Sequence, residues 1–317
     1  MSGVSATLRA IFEPGFFSSG PVRVAVLVGG VVALVSAVVG VFTVIRGQSF
    51  AGHSLGDLGT TGGSGAFLVG ANPLWGFVAF TVVGAAVMEL LGIRRPRGRD
   101  LATGVVLGAG LGIAALFLYL GTVQSNTSGA TITILFGSMF VIRSSLIPVF
   151  VVLGASALAI VGLLYRPLLL STVSADIATA RGVPVRMVGI GYLLAMAIAV
   201  SLSCVTIGAV LSTAVLIGPA ASALRLTKRP GLAIAVAALI GVAVTWLGIL
   251  LAYDSYYWPP ARRGWPVSFF VVTLVFVVYL LADLASRRTG RKGARRAQQA
   301  LAPGDDATVG RARWGAG

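Results

Sequence analysis

The sequence predicts an all-α polytopic membrane protein, and three observations support that fold class. Hydrophobic residues make up 57% of the 317 residues and charged residues only 10%, whereas about one quarter of a soluble domain is charged. Apolar runs of about 18 residues or more, enough to cross a bilayer as a helix, recur along the whole chain. Arginine and lysine cluster between these runs and in the tail, as in cytoplasmic loops of membrane proteins.

The apolar runs define the elements in order. They predict spans at 22–45, 74–93, 101–123, 146–165, 188–207, 208–224, 232–253 and 266–284. A polar, glycine-rich segment at 48–69 fits a ninth helix, so we expect eight or nine transmembrane helices. The run at 130–142 is short for a crossing and predicts a re-entrant or interfacial helix.

The basic segments fix the expected orientation. Placing 94–99, 166–186, 225–230 and the tail from 287 on one side leaves an even number of crossings between each pair. Those segments are therefore expected in the cytoplasm, together with the C-terminus. Residues 1–21 form an N-terminal segment, 22–285 the transmembrane domain, and 286–317 a basic tail expected to be disordered.

The formal net charge of +15 does not predict a nucleic-acid partner. The positive residues follow the membrane topology, so the expected surrounding is a lipid bilayer. The single cysteine, Cys204, excludes an intrachain disulfide and is expected to be a small buried apolar residue. The first 20 residues lack the basic and apolar regions of a removable signal peptide.

One stretch, Ser49–Gly65, carries the polar chemistry of the membrane domain. It holds the only histidine, His53, and a carboxylate four residues later, Asp57. Residues four apart share a helix face, and Thr60, Thr61 and Ser64 extend the same stripe. Such a stripe should face a path or a partner rather than lipid. The three hydroxyl residues are therefore candidates to line a pathway.

Asp57 is the only one of the nine acidic residues near the middle of a predicted span. Burying an ionised carboxylate there costs about 2.5–3.5 kcal/mol on insertion scales. The His53 imidazole or a bound cation would offset that cost.

Three roles for the pair remain open. His53 and Asp57 could form a transient divalent-cation site, because imidazole and carboxylate together suit zinc and manganese. They could instead lock helix packing, with Gly52-x-x-x-Gly56 and Gly59-x-x-x-Gly63 as close-contact points. A proton relay is the third alternative.

No enzyme motif is present. The chain lacks the G-x-x-x-x-G-K-[ST] phosphate loop, H-E-x-x-H, Cys-x-x-Cys and G-x-S-x-G. The sequence therefore does not predict an enzyme, and without a phosphate loop the chain is not expected to hydrolyse ATP by itself.

Four stretches, in the same order, resemble the permeases of zinc, manganese and iron ABC importers. These stretches are Val39–Gly52, Leu135–Ser138, Ala180–Arg186 and Thr206–Ala221. The resemblance covers about residues 20–285 and implies the permease fold of a type II-like ABC importer. It also implies a divalent metal ion as substrate, with no permanently bound cofactor.

The resemblance further implies partners and a location. The partners are an ABC ATPase subunit, an extracytoplasmic metal-binding protein and a second permease subunit, and the location is a bacterial plasma membrane. A cytoplasmic segment at about 166–187 would dock on the ATPase. Its candidate coupling residues are Asp176, Arg181, Gly182, Val183, Pro184 and Arg186.

The chain departs from the family at the metal-handling pair. The family has D-A-L-S-H, whereas the same five positions here run from His53 to Asp57. The ligand set is kept but each ligand moves by about one turn, roughly 5–6 Å. The identity of the metal stays open, as do an ion-coupled secondary transporter and a non-transporting structural subunit.

Overall fold

Helices form the fold, because in lipid every backbone polar group must be satisfied within the chain. A computed structural model describes residues 16, 19–90, 96–125, 129–258 and 264–301. Those residues contain no strand. In chain order the helices are α1 (Gly20–Ile45), α2 (Ser49–Leu68), α3 (Pro73–Leu90), α4 (Pro96–Ser125), α5 (Gly129–Phe136), α6 (Ile147–Leu163), α7 (Tyr165–Val173), α8 (Ala175–Ala180), α9 (Val185–Ile207), α10 (Ser212–Leu226), α11 (Pro230–Asp254) and α12 (Val267–Leu301). Single 3₁₀ turns lie at Met139–Val141, Ser144–Leu146 and Ser255–Tyr257.

Six helices within the described residues are long and apolar enough to cross a bilayer, namely α1, α4, α6, α9, α11 and α12. Helices α3 and α10 are apolar but shorter, and α2 is too polar to meet the same criterion. Length and composition therefore confirm a multi-span helical fold but not the expected count of eight or nine.

Three connections differ in detail from the expected loops. Helix α4 begins at Pro96, so part of the basic segment 94–99 is helical, and residues 91–95 lie outside the described ones. The connection 166–187 folds largely into α7 and α8. Helix α12 continues to Leu301, while residues 302–317 of the expected tail lie outside the described part, as do 1–15.

Helix α9 lies at the centre of the bundle. Buried residues make up 72% of its span, against 17% for α4, which lies at the outside. Its hydroxyl groups join it to α1, since Ser203 Oγ lies 2.8 Å from Ser36 Oγ and Tyr192 Oη lies 2.6 Å from Thr43 Oγ1. These four buried hydroxyl groups are thus paired across the two helices, as polar groups away from water usually are.

Helix α2 packs against α3 through glycines. A Cβ at Gly59 would lie 2.9 Å from Thr81 Cγ2, and one at Gly63 would overlap the ring of Phe77. A Cβ at Gly62 would overlap the carbonyl oxygen of Gly76 in α3. These close approaches hold α2 in the bundle although its polar residues contribute little apolar surface.

Candidate ion-binding site on helix α2

The two residues singled out in the sequence meet on one face of α2. His53 Nε2 lies 3.5 Å from Asp57 Oδ2, one helical turn further along the chain. The i, i+4 spacing brings them together, and no distant contact is needed to do so. The pair therefore presents one imidazole and one carboxylate at the same level of the bundle.

The two side chains differ in exposure. The His53 side chain is 45% exposed, whereas that of Asp57 is 12% exposed. The imidazole thus lies at the edge of this single chain and the carboxylate lies inside it. An imidazole at the edge of a transmembrane helix is expected to meet a water-filled path or another protein surface rather than lipid.

Thr213, at the start of α10, holds the second nitrogen of the imidazole. Its Oγ1 lies 3.1 Å from His53 Nδ1, a hydrogen bond whose direction depends on the imidazole tautomer. A partner on one ring nitrogen fixes the orientation of the other. Nε2 is therefore held toward Asp57 and the edge of the bundle.

Asp57 lies beside the ends of α9 and α10. The Cys204 thiol, near the end of α9, contacts the side chain of Ser212 at the start of α10. Gly56 allows α2 to lie close to this contact, because a Cβ there would lie 3.2 Å from Ser212 Oγ. Cys204 is buried, as its apolar surroundings predict.

The three hydroxyl residues proposed to line a pathway lie inside the bundle. Thr60 Oγ1 donates to the Gly56 carbonyl at 3.0 Å and Ser64 Oγ donates to the Thr60 carbonyl at 2.7 Å. Thr61 Oγ1 donates to the Gly110 carbonyl of α4 at 2.7 Å. An ion could reach these hydroxyl oxygens only if a path opened between α2 and the helices packed against it.

The chain supplies two metal-binding side chains at this place. Within the described residues, no group of three or more His, Cys, Asp and Glu side chains is close enough to hold a metal ion. A tightly bound structural zinc usually has four protein ligands.

A cavity of about 390 Å³ opens where α2 ends. It lies between the α2–α3 turn, the region around α5 and the end of α9, and Asn72, Arg143 and Cys204 are among its lining residues. Cys204 of α9 thus forms part of the cavity wall.

The candidate coupling residues lie around α8 and the start of α9. Asp176 is in the first turn of α8, Arg181 caps its end, and Gly182 follows with φ 77°. Pro184 precedes α9 and is exposed, whereas Val183 packs against the core. The side chain of Arg186 lies 3.9 Å from Glu89 of α3, which the sequence did not identify as its partner.

Thr213, Ser212 and Cys204 were not predicted as neighbours of the site. One signal pointed to them: Ser212 and Thr213 form a polar pair in an otherwise apolar stretch that resembles the permease family. Their contact with α2 depends on helix packing, which periodicity does not reveal.

The fold is that of a multi-span helical membrane protein. Residues 21–283 match the ABC 3 transport family, and the chain belongs to that family. The resemblance found in the sequence is therefore confirmed.

Relatives and a solved structure agree with this class. The chain is 31% identical over 232 residues to the manganese transport system membrane protein MntC of Halalkalibacterium halodurans, covering 73% of this chain and 77% of the relative. It is 25% identical over 236 residues to the high-affinity zinc uptake system membrane protein ZnuB of Haemophilus influenzae, covering 73% and 88%. Its fold is similar to PsaBC from Streptococcus pneumoniae in complex with Fab, with a TM-score of 0.72, 21% identity and coverage of 84% and 92%.

Proposed function

We propose that this chain is the permease subunit of an ATP-driven importer of divalent metal ions, with zinc or manganese as substrate and iron a further candidate. The observation that carries the proposal is the His53–Asp57 pair on a transmembrane helix, 3.5 Å apart and half open at the edge of the bundle. The family and the manganese and zinc transport relatives support the choice of substrate class.

Nine transmembrane helices complete the proposed topology. The six long apolar helices are joined by α3 and α10, which are apolar but short, and by α2. Buried glycine contacts with α3 compensate for the polar character of α2. The chain would cross the plasma membrane of a bacterial cell, with its basic segments on the cytoplasmic side. In that orientation nine crossings place the N-terminus outside and the C-terminus in the cytoplasm.

The exposed edge of His53 supports a dimer. A half-exposed imidazole within a span is expected to face protein or water. A second permease subunit, identical or different, would cover this edge and enclose the ion path between the two chains. It would also bring further ligands to an ion that meets only two side chains here.

The ion would pass the pair as a substrate and would not stay as a cofactor. A mixed imidazole and carboxylate set suits zinc and manganese, and an ion held too tightly would not leave on the other side. The cavity beside Asn72 lies at the outer face in the nine-helix topology, so an extracytoplasmic metal-binding protein would deliver the ion there. Thr60, Thr61 and Ser64 would line the path once it opens.

The segment 166–187 would dock on a separate ABC ATPase. In the proposed topology it faces the cytoplasm, yet Val173, Ile177 and Met187 are exposed by 84%, 51% and 70%. Exposed apolar side chains of this kind suit a protein partner. Asp176, Arg181 and Arg186 would supply the charged contacts around them, and Gly182, Val183 and Pro184 the turn.

Reconstitution tests the proposal. The permease, its ATPase and the metal-binding protein are placed in proteoliposomes, and uptake of zinc and manganese is followed with and without ATP. We expect uptake to require ATP and to be indifferent to a proton gradient. Uptake driven by a proton gradient alone would identify an ion-coupled secondary transporter, and no uptake under either condition would leave a structural subunit.

A further inference from the structure

Arg46, the residue that follows α1, contacts α7. Its Nη1 donates to Ser171 Oγ at 3.0 Å and to Thr172 Oγ1 at 3.4 Å. Both hydroxyls donate their own hydrogens to the Leu168 carbonyl, at 3.1 and 2.6 Å. The free lone pairs of the two hydroxyl oxygens therefore accept from the guanidinium. The two hydroxyls act as oriented acceptors for one positive charge.

The same guanidinium also contacts α9. Its carbon lies 5.5 Å from the centre of the Tyr192 ring, a cation–π arrangement. Tyr192 is fully buried, and its hydroxyl donates to the Val39 carbonyl of α1 at 3.1 Å. Arg46 thus touches α7, which belongs to the segment proposed to dock on the ATPase, and α9, which follows that segment.

A tight turn connects Arg46 to α2. Gly47 has φ 63°, a left-handed conformation that favours glycine, and the Gln48 N–H donates to the Thr43 carbonyl at 2.9 Å. Helix α2 begins at the next residue and carries His53 on its second turn. Because the turn is short and hydrogen-bonded, a displacement of the Arg46 backbone should also displace the start of α2.

At its C-terminal end, α7 is followed almost directly by α8. The single residue between them, Ser174, caps α8 by accepting from the Ile177 N–H at 3.3 Å. At the far end the Val183 N–H donates to the Ala178 carbonyl at 3.0 Å. The hydroxyls that hold Arg46 and the surface around Ile177 therefore lie on two helices that are joined by one extended residue, Ser174.

From these contacts we infer that Arg46 is a positioning residue for energy coupling, an inference that rests on the proposed function. It ties the α7–α8 segment to the α1–α2 turn, so a displacement of that segment by the ATPase shifts His53 relative to Thr213 on α10. The coupling is reciprocal, because an ion at the pair then favours one position of the segment. Lysine cannot replace arginine fully, since one ammonium does not contact two hydroxyls and a ring face in the same way.

The test uses the complete importer in proteoliposomes with manganese as the probe. The variants are Arg46→Gln, Arg46→Lys, the pair Ser171→Ala with Thr172→Val, and the combination of that pair with Arg46→Gln. Arg288→Gln, at an exposed arginine of α12, is the matched control. Three quantities are measured: manganese ions transported per ATP hydrolysed, hydrolysis without manganese, and the thermal unfolding midpoint.

We expect Arg46→Gln to keep assembly and basal hydrolysis while the ion-to-ATP ratio falls on the order of tenfold, a usual size for a lost coupling contact. Arg46→Lys should fall between it and wild type. The Ser171→Ala and Thr172→Val pair should lower the ion-to-ATP ratio by a similar factor. The combined variant should lower the ratio no further than Arg46→Gln does, because the substitutions remove the same contact. The control should keep the wild-type ratio.

Three results would overturn the inference: a wild-type ratio in Arg46→Gln, fully additive losses in the combined variant, or loss of assembly even in Arg46→Lys, which would make the contact only structural. Wild-type complex that takes up manganese without ATP would overturn the proposed function itself, and this inference with it. A coupled wild type beside an equally coupled Arg46→Gln would overturn the inference alone.

Discussion

Gly62 of α2 and Gly76 of α3 face each other so closely that a Cβ on either residue would meet the carbonyl oxygen of the other. This contact sets the distance between the two helices. It also fixes where α2 presents His53 and Asp57, which lie nine and five residues before Gly62 on the same helix. The glycines predicted as packing points and the polar pair predicted as a site therefore lie on the same helix. The glycine contacts hold that helix, and with it the pair, at a fixed position in the bundle.

Gly62→Ala should destabilise the fold. The added methyl group overlaps the Gly76 carbonyl and the Phe80 side chain, so the helices must separate, and overpacking of this kind costs about 1–3 kcal/mol. The measurement is the thermal unfolding midpoint of the purified chain in detergent. Gly112→Ala on α4 is the matched control, because nothing lies within 4 Å of a Cβ there. Equal midpoints for both variants would refute the close contact.

Thr213→Ala should weaken transport without abolishing it. The change removes the hydrogen-bond partner of His53 Nδ1. A hydrogen bond of this kind stabilises the orientation of the imidazole ring by about 0.5–1.5 kcal/mol. We expect ATP-dependent manganese uptake to fall by a factor of about three to ten. Thr213→Ser keeps the hydroxyl and should restore most of the rate. If the serine variant is as slow as the alanine variant, the hydrogen bond is not the reason for the loss.

Asp283→Asn should loosen the end of α12. Its carboxylate lies 2.7 Å from Arg287 Nε and 3.1 Å from Arg225 Nη1 of α10, and its side chain is only 13% exposed. Removing the charge leaves two arginines close together, although their partial exposure to solvent moderates the cost. We expect a lower unfolding midpoint than in Arg288→Gln, where an exposed arginine is changed. A midpoint that matches this control would show that the cluster does not hold the helices together.

Local periodicity predicted what depends on neighbouring residues in the chain. The helix at 49–68 and the approach of His53 to Asp57 follow from a spacing of four residues. Thr213 could not be placed beside His53 in this way, because 160 positions separate them and only the packing of α10 against α2 joins them. The same limit applies to Arg46 and Ser171, which are 125 positions apart.

The exposure of the polar stripe could not be predicted either. Periodicity assigned His53, Thr60 and Ser64 to one stripe, yet the imidazole is half exposed while the two hydroxyls are buried. The difference arises because α3 and α4 cover the later turns of α2, where glycines allow close approach, and leave the first turns at the edge. The segment 166–187, predicted as a polar connection, is largely helical, and its contacts include the bond from Arg46 to Ser171 and the Ser174 cap.

The most direct test of the account is the initial rate of ATP-dependent manganese and zinc uptake by the reconstituted importer carrying Asp57→Ala. Asp254→Asn, which changes another buried carboxylate at the end of α11, is the control for folding. The account predicts a loss of about tenfold or more for Asp57→Ala, the size seen when a metal-site residue is removed, a comparable loss for His53→Ala, and a near wild-type rate for Asp254→Asn. Wild-type uptake in both Asp57→Ala and His53→Ala would contradict the claim that the ion passes this pair.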